Sequence, residues 1–220
     1  ALDLGVNFFD TAGVYGLGLS EERLSKILGS RRHEVVIATK GGLSWKESSS
    51  VRSIIIKNSS PVAIRRDIES SLKRLRLDCL PIFFIHWPDN NIPIEDTFNE
   101  LLKIQNEGKI KSIGCSNFSA QQLRAACNIS QVDYLQLPTN LLSGEIDSEV
   151  SNICTKNKIK VIAYNILENG LLAGKLHKDT NFPKNDRRSR LPLFKGMEFI
   201  NALNKVEELK VKASENDNNL

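Results

Sequence analysis

The chain has no apolar stretch approaching ~18 residues, the length a membrane-spanning helix needs. It carries no secretory-leader pattern of charge followed by an apolar segment, and no basic run interleaved with aromatics. Neither a membrane nor a nucleic acid is therefore an expected partner. Cysteine is scarce: Cys79, Cys115, Cys127 and Cys154 include no CxxC pair, which fits reduced thiols in a cytoplasmic protein. The three histidines, His33, His86 and His177, are far apart and lack metal-ligand spacing, so no metal site is expected. The net charge of +4 is mild, and the small cluster Arg187, Arg188 and Arg190 reads as a solvated loop. What remains is ordinary. The 220 residues, 40% hydrophobic and 25% charged, suffice for one sizeable domain or a large part of an α/β barrel.

The informative pattern is where apolar runs stop. Six strand-length runs end in a residue fit for catalysis or binding. Asn7 to Phe9 runs into Asp10, and Val35 to Thr39 into Lys40. Ile82 to Ile85 runs into His86, and Ile110 to Cys115 into Ser116 and Asn117. Tyr134 and Leu135 run into Gln136, and Lys160 to Ala163 into Tyr164. Segments of helical periodicity lie between them, and strand-then-helix order argues for a parallel sheet with helices on its faces. In a closed parallel barrel the C-terminal strand ends converge on one mouth.

Helix signals support that order. Ser60-Pro61 reads as a cap with Pro at the first helical position, followed by Ile64, Ile68, Leu72 and Leu75 on one face. Pro93 to Glu107 carries Ile94, Phe98, Leu101 and Leu102, with Gly108 as its stop. Ser119 is expected to cap Ala120–Cys127, and Asp147 to start a helix holding Val150, Ile153 and Cys154. Ser20 with Glu21 and Glu22 starts another, with Leu24, Ile27 and Leu28 buried. Ala1 to Gly5 reads as the last turn of a helix. Met197 to Lys212 has helical spacing before a polar tail at 214–219. Two connections, 41–59 and 168–196, exceed ordinary loop length and read as functional or mobile. Six strands cannot close an eight-stranded barrel, so the expectation is either a partial barrel or an open sheet.

Asp10, Tyr15, Lys40 and His86 form a chemically coherent set. A tyrosine is a poor acid at neutral pH; a neighbouring ammonium favours its phenolate, and a carboxylate holds that ammonium in place. A histidine nearby can hydrogen-bond a carbonyl oxygen. The set suits protonation of an oxygen that is becoming an alkoxide. Side chains cannot donate hydride, so carbonyl reduction would need a nicotinamide. Ser116, Asn117 and Gln136 can bind a carboxamide, and Tyr164 can stack on a flat ring. Taken singly, Asp10 and Ser116 also read as helix caps, His86 as a loop residue and Tyr164 as core.

At these residues the chain resembles the aldo-keto reductases, in the bacterial-type branch that includes potassium-channel β-subunits. The matching stretches are Gly5-Val-Asn-Phe-Phe-Asp-Thr-Ala-Gly-Val-Tyr-Gly16, Ser20-Glu-Glu-Arg-Leu24, Val36-Ile-Ala-Thr-Lys40, Ser70-Ser-Leu-Lys-Arg-Leu75 and Ile85-His-Trp-Pro-Asp89. Gly108-Lys-Ile-Lys-Ser-Ile-Gly-Cys-Ser-Asn-Phe118, Val161-Ile-Ala-Tyr164 and Gly170-Leu-Leu-Ala-Gly-Lys175 continue it in family order. The resemblance implies a (β/α)8 TIM barrel, here a single domain over residues 1–220 holding about strands two to seven. It implies reduction of an aldehyde or ketone with NADPH, or NADH. By matching motif, Asp10, Tyr15, Lys40 and His86 are the catalytic four, with Tyr15 the acid. Ser116, Asn117 and Gln136 are the carboxamide binders, Tyr164 is the stacking aromatic, and Asn165, Leu167, Gly170 and Leu171 belong to the pyrophosphate loop. The chain departs from the family at Asn165-Ile166, where Ser-Pro is usual, and at Gln136-Leu-Pro-Thr139. The family's first and last strands and its segment for the adenosine 2′-phosphate have no counterpart. The expectation is a monomer or weak homo-oligomer acting on a small carbonyl compound. The alternatives are a non-catalytic nucleotide-binding regulatory or redox-sensing subunit, and an inactive fragment.

Overall fold

The computed structural model describes residues 1–46 and 54–215. The strands are β1 (Phe8–Asp10), β2 (Val36–Gly41), β3 (Leu43–Lys46), β4 (Ile54–Lys57), β5 (Leu80–Ile85), β6 (Ile110–Ser116), β7 (Tyr134–Pro138) and β8 (Lys160–Tyr164). The α-helices are α1 (Leu19–Leu28), α2 (Pro61–Leu75), α3 (Ile94–Asn106), α4 (Ala120–Cys127), α5 (Ser148–Asn157) and α6 (Gly196–Glu215). Six strands form one sheet in the order β1-β2-β5-β6-β7-β8, and β1 with β2, β2 with β5, β5 with β6 and β6 with β7 pair in parallel. These are the six strands the apolar runs predict.

Two compact units divide the chain. The first comprises Ala1–Leu137 and Asp147–Ile162. Its central strand β5 is buried along nearly its whole length, with Leu80, Phe83 and Phe84 fully inaccessible. A continuous apolar run of this kind marks a parallel strand covered on both faces. The sheet is strongly curled. Asp10 on β1 and Gln136 on β7 lie four strand spacings apart, about 19 Å in a flat sheet, yet their side chains are hydrogen-bonded at 3.0 Å. Ala38, Ile82 and Phe84 cluster with Tyr134 and Ile162, so four strands fill one interior, as in a barrel. Gly114 permits this filling, because a Cβ there would overlap the Phe84 ring.

Local chemistry explains the helix ends. Ser119 and Gln122 form a reciprocal capping box on α4, and the Asp147 carboxylate accepts from the N–H groups of Glu149 and Val150. Both satisfy donors that a helix start leaves unpaired. On α2, Ile64, Ile68 and Leu75 are fully buried, each contributing roughly 1.5–3 kcal/mol. Ala1 to Gly5 forms a short 3₁₀ turn, Leu2–Leu4, with Gly5 left-handed at its end.

Three expectations are corrected. The 41–59 connection contains an antiparallel hairpin, β3–β4, pairing Leu43 with Lys57 and Lys46 with Ile54; short strands among serines leave little alternation to read. Ile27 is 82% exposed, because α1 turns Glu21, Ser25 and Leu28 inward instead. Ser60 stands at the α2 N-cap without a capping bond, its hydroxyl donating to Asn58 Oδ1.

The second unit comprises residues 138–146 and 163–220; the polar tail from 216 lies outside the described residues. Leu171, Leu172, Phe194, Phe199, Ala202 and Val206 form its core, and α6 is the helix predicted over 197–212. The 168–196 connection is built from three 3₁₀ turns. Arg188 is not freely solvated: it pairs with Asp186 at 2.7 Å and lies 4.4 Å over the Phe182 ring.

Candidate active site

The first unit brings the four predicted catalytic residues together. Asp10 ends β1. Lys40 is the next-to-last residue of β2 and is 3% exposed. Its ammonium donates to Asp10 Oδ2 at 2.6 Å and to the Thr11 carbonyl at 2.8 Å. Tyr15 opens a short turn, Tyr15–Gly18, and is half exposed. Lys40 Nζ lies 5.2 Å from the Tyr15 ring centre. His86 follows β5, with its ring 5.6 Å from that of Tyr15 and nearly perpendicular to it.

The electrostatics follow from burial. Burial pushes the Lys40 ammonium below its usual range, and Asp10 opposes that shift. His86 is pushed down from 6.5 to about 4, first by burial and then by the Lys40 charge. Its Nδ1 is buried and has no hydrogen-bond partner among the described residues. The imidazole is consequently neutral at pH 7, able to orient an acceptor but holding no spare proton. Charge is thus concentrated in the Asp10–Lys40 pair, beside the one phenol of the group.

The three predicted carboxamide binders stand at the ends of β6 and β7. Ser116 and Gln136 are buried. Asn117 is left-handed, at φ 63°, and its N–H donates to the Gln136 carbonyl. Asn117 Nδ2 donates to the His86 carbonyl at 3.1 Å and to Ser116 Oγ at 3.0 Å. Gln136 Nε2 donates to Asp10 Oδ1, which leaves its amide oxygen and second N–H for a ligand. Ser116 accepts from Asn117 and keeps its own O–H to give. This donor and acceptor set fits a carboxamide.

The five remaining predicted residues belong to the second unit. Tyr164 is half-buried, and its carbonyl accepts from Thr139 N–H at 3.2 Å. Asn165 is left-handed, at φ 56°, and donates from Nδ2 to Glu168 at 2.9 Å. Gly170 has φ 91° and donates to the Leu167 carbonyl. Leu167 is exposed. The Leu171 side chain is fully buried in the core of that unit, which leaves only its main chain for a ligand. Glu168, Asn169 and Gly170 are consecutive left-handed residues, at φ 44°, 52° and 91°, and such a run stores strain, often at a binding loop.

Sequence reasoning missed a second layer. Glu21 is fully buried, accepting from Thr39 Oγ1 at 2.5 Å and pairing with Arg74 Nε at 2.5 Å. Both charges stand in the matching motifs, but Glu21 reads there as a helix start and nothing local singles out Arg74. Their long-range pairing, 53 residues apart, is invisible without the fold.

The first unit is thus a curled parallel sheet whose strand ends carry a buried Lys40 paired with a partly exposed Asp10, beside Tyr15 and a neutral His86. The sequence profile described as "Aldo/keto reductase family" matches residues 1–219, and the chain belongs to that family. It is 34% identical over 214 residues to the aldo-keto reductase YhdN of Bacillus subtilis, covering 95% of this chain and 63% of that protein. It superposes on a glycerol dehydrogenase structure from Gluconobacter oxydans with a TM-score of 0.92 and 36% identity, covering 99% of this chain and 67% of that one. An aldo/keto reductase from Klebsiella pneumoniae, solved with NADP and acetate, matches with a TM-score of 0.65 and 26% identity over 80% of this chain and 57% of that one. The fold is α/β, with six strands of an incomplete (β/α)8 barrel, and the chain spans 57% to 67% of the length of these relatives.

Proposed function

We propose that the protein reduces an aldehyde or ketone to an alcohol with NADPH, or NADH, and that Tyr15 is the proton donor. The carrying observation is the arrangement around Lys40. Its buried ammonium is held by Asp10 and faces the Tyr15 ring. Its positive charge stabilises a developing phenolate, so the Tyr15 hydroxyl gives its proton more readily. Neutral His86 orients the carbonyl oxygen by a hydrogen bond, and Tyr15 protonates that oxygen as negative charge grows on it. The nicotinamide, when bound, supplies the hydride.

Ser116, Asn117 and Gln136 hold the carboxamide in this reading. By family motif, Tyr164, Asn165, Leu167, Gly170 and Leu171 are proposed as further cofactor contacts, with Leu171 acting through its main chain. The substrate is a small carbonyl compound, and the NADP-bound Klebsiella relative supports NADPH as the cofactor. The test uses the intact protein and a panel of aldehydes and ketones, following NADPH oxidation. Tyr15→Phe should lower the rate by ~10²-fold or more, the loss expected for a general acid, with cofactor binding kept. Activity within a few-fold of the parent would remove Tyr15 from the role. Cofactor binding with no turnover of any carbonyl in the parent would favour a nucleotide-sensing subunit.

A further inference from the structure

Tyr15 opens a turn of unusual backbone conformation. Within it, Gly16, Leu17 and Gly18 all have positive φ, at 59°, 57° and 101°. Its backbone bonds include Tyr15 N–H to Ala12 O, Leu17 N–H to Val14 O, and Leu19 N–H to Gly16 O and Tyr15 O. Such conformations persist only where the surroundings over-determine them. Arg74 is one part of those surroundings. A Cβ built at Gly18 would lie 3.0 Å from Arg74 Cδ, and one at Gly13 would lie 3.1 Å from Arg74 Nη2. Arg74 therefore packs against both ends of the turn, before and after Tyr15.

Arg74 is itself fixed from beneath. Its Nε pairs with Glu21, whose second oxygen accepts from Thr39. Thr39 precedes Lys40 in β2, and Gly13 N–H donates to the Lys40 carbonyl at 3.2 Å. The chain Thr39–Glu21–Arg74 thus joins the strand that carries Lys40 to the turn that carries Tyr15. A carboxylate with no exposed surface needs such pairing.

We propose that Arg74, clamped by Glu21, is a positioning residue for Tyr15, setting the distance between the phenol and the Lys40 ammonium. The inference rests on Tyr15 being the proton donor. Arg74 acts through Gly13 and Gly18. Misplacement of a reacting group by about 1 Å can cost ~10²-fold in rate, and that cost falls on turnover and not on binding.

The experiment compares the parent, Tyr15→Phe, Arg74→Ala and Arg74→Lys as intact proteins, reading kcat, KM, cofactor affinity and the pH profile of kcat. Arg74→Ala should lower kcat by ~10- to 100-fold, leave KM and cofactor affinity within about threefold, and shift the alkaline limb of the profile. A cavity of about 290 Å³ lined by Gly13, Lys40, Asp67, Ser71 and Arg74 gives a small cation access. Guanidinium ion at millimolar concentration should therefore restore much of the kcat of Arg74→Ala and nothing in Tyr15→Phe. Arg74→Lys keeps the charge without the planar fork and should lose kcat to an intermediate degree. Parent-like kcat in Arg74→Ala beside a dead Tyr15→Phe would overturn the positioning role. So would loss of folding in both Arg74 variants, or equal losses in kcat and binding without rescue, since each marks a purely structural pair. An active Tyr15→Phe would instead refute the proton-donor reading beneath it.

Discussion

Asp10 and Gln136 are 126 residues apart in sequence, and the Gln136 amide donates to the Asp10 carboxylate at 3.0 Å. A carboxylate only accepts, so the nitrogen of the amide must face it. The second oxygen of Asp10 takes the Lys40 ammonium. One carboxylate therefore couples the proposed proton-delivery group to the proposed carboxamide site, across the interior of the curled sheet. The Asp10 side chain is 35% exposed, so solvent weakens the bond below a fully buried one.

That coupling is measurable as a double-mutant cycle. Asp10→Ala, Gln136→Leu and the double variant, unfolded in urea, should show an interaction free energy of about 1 kcal/mol. Strict additivity would mean the bond contributes nothing in solution.

Lys40→Met should cut carbonyl reduction by ~10²-fold or more. Loss of the neighbouring positive charge raises the tyrosine pKa relative to the parent, so the remaining activity should extend to higher pH. A pH profile superimposable on the parent's would reduce Lys40 to a structural partner of Asp10.

His86 gives a prediction about acid. Its pKa is about 4 in the fold, against 6.5 when unfolded. As pH falls below 6.5 the unfolded chain takes up a proton that the folded chain refuses, so stability is lost between 6.5 and about 4 and levels off below. The full loss from this group is on the order of 3 kcal/mol. Lys40, Asp10 and Tyr15 face the same point, so the measurement is a difference. The stability gap between the parent and His86→Gln, followed by urea unfolding, should change across that window. A gap independent of pH would show that His86 is not desolvated as described.

Gly114→Ala should destabilise the fold by about 1–3 kcal/mol, the usual range for overpacking. The new methyl would overlap the Phe84 ring, which is fully buried and has no room to move. Gly108→Ala is a useful contrast: no atom lies within 4 Å of the new Cβ, but its φ of 79° strains any side chain. Urea midpoints for the two variants separate a packing cost from a backbone cost, and an unchanged midpoint for Gly114→Ala would contradict the interior described here.

The sheet was legible because each main strand is a short apolar run stopped by a polar residue, and five of the six runs, from β1 to β7, meet their neighbours in parallel register. The caps at Ser119 and Asp147 were legible because they act on N–H groups two or three residues away. The β3–β4 hairpin was not, since four-residue strands among serines carry almost no periodicity. Ile27 was misassigned for a related reason: helical spacing identifies an apolar face, but the position of α2 decides which face is covered.

The sequence by itself determined the element order, the polar residues at the strand ends and the family to which they belong, because these depend on neighbours along the chain. Only the tertiary structure decided that Asp10 serves both Lys40 and Gln136, that His86 is neutral, and that Arg74 packs beneath the Tyr15 turn. Each of those depends on burial and on contacts between residues 30 to 126 positions apart. Sheet curl and helix packing create such contacts, and no local pattern records them.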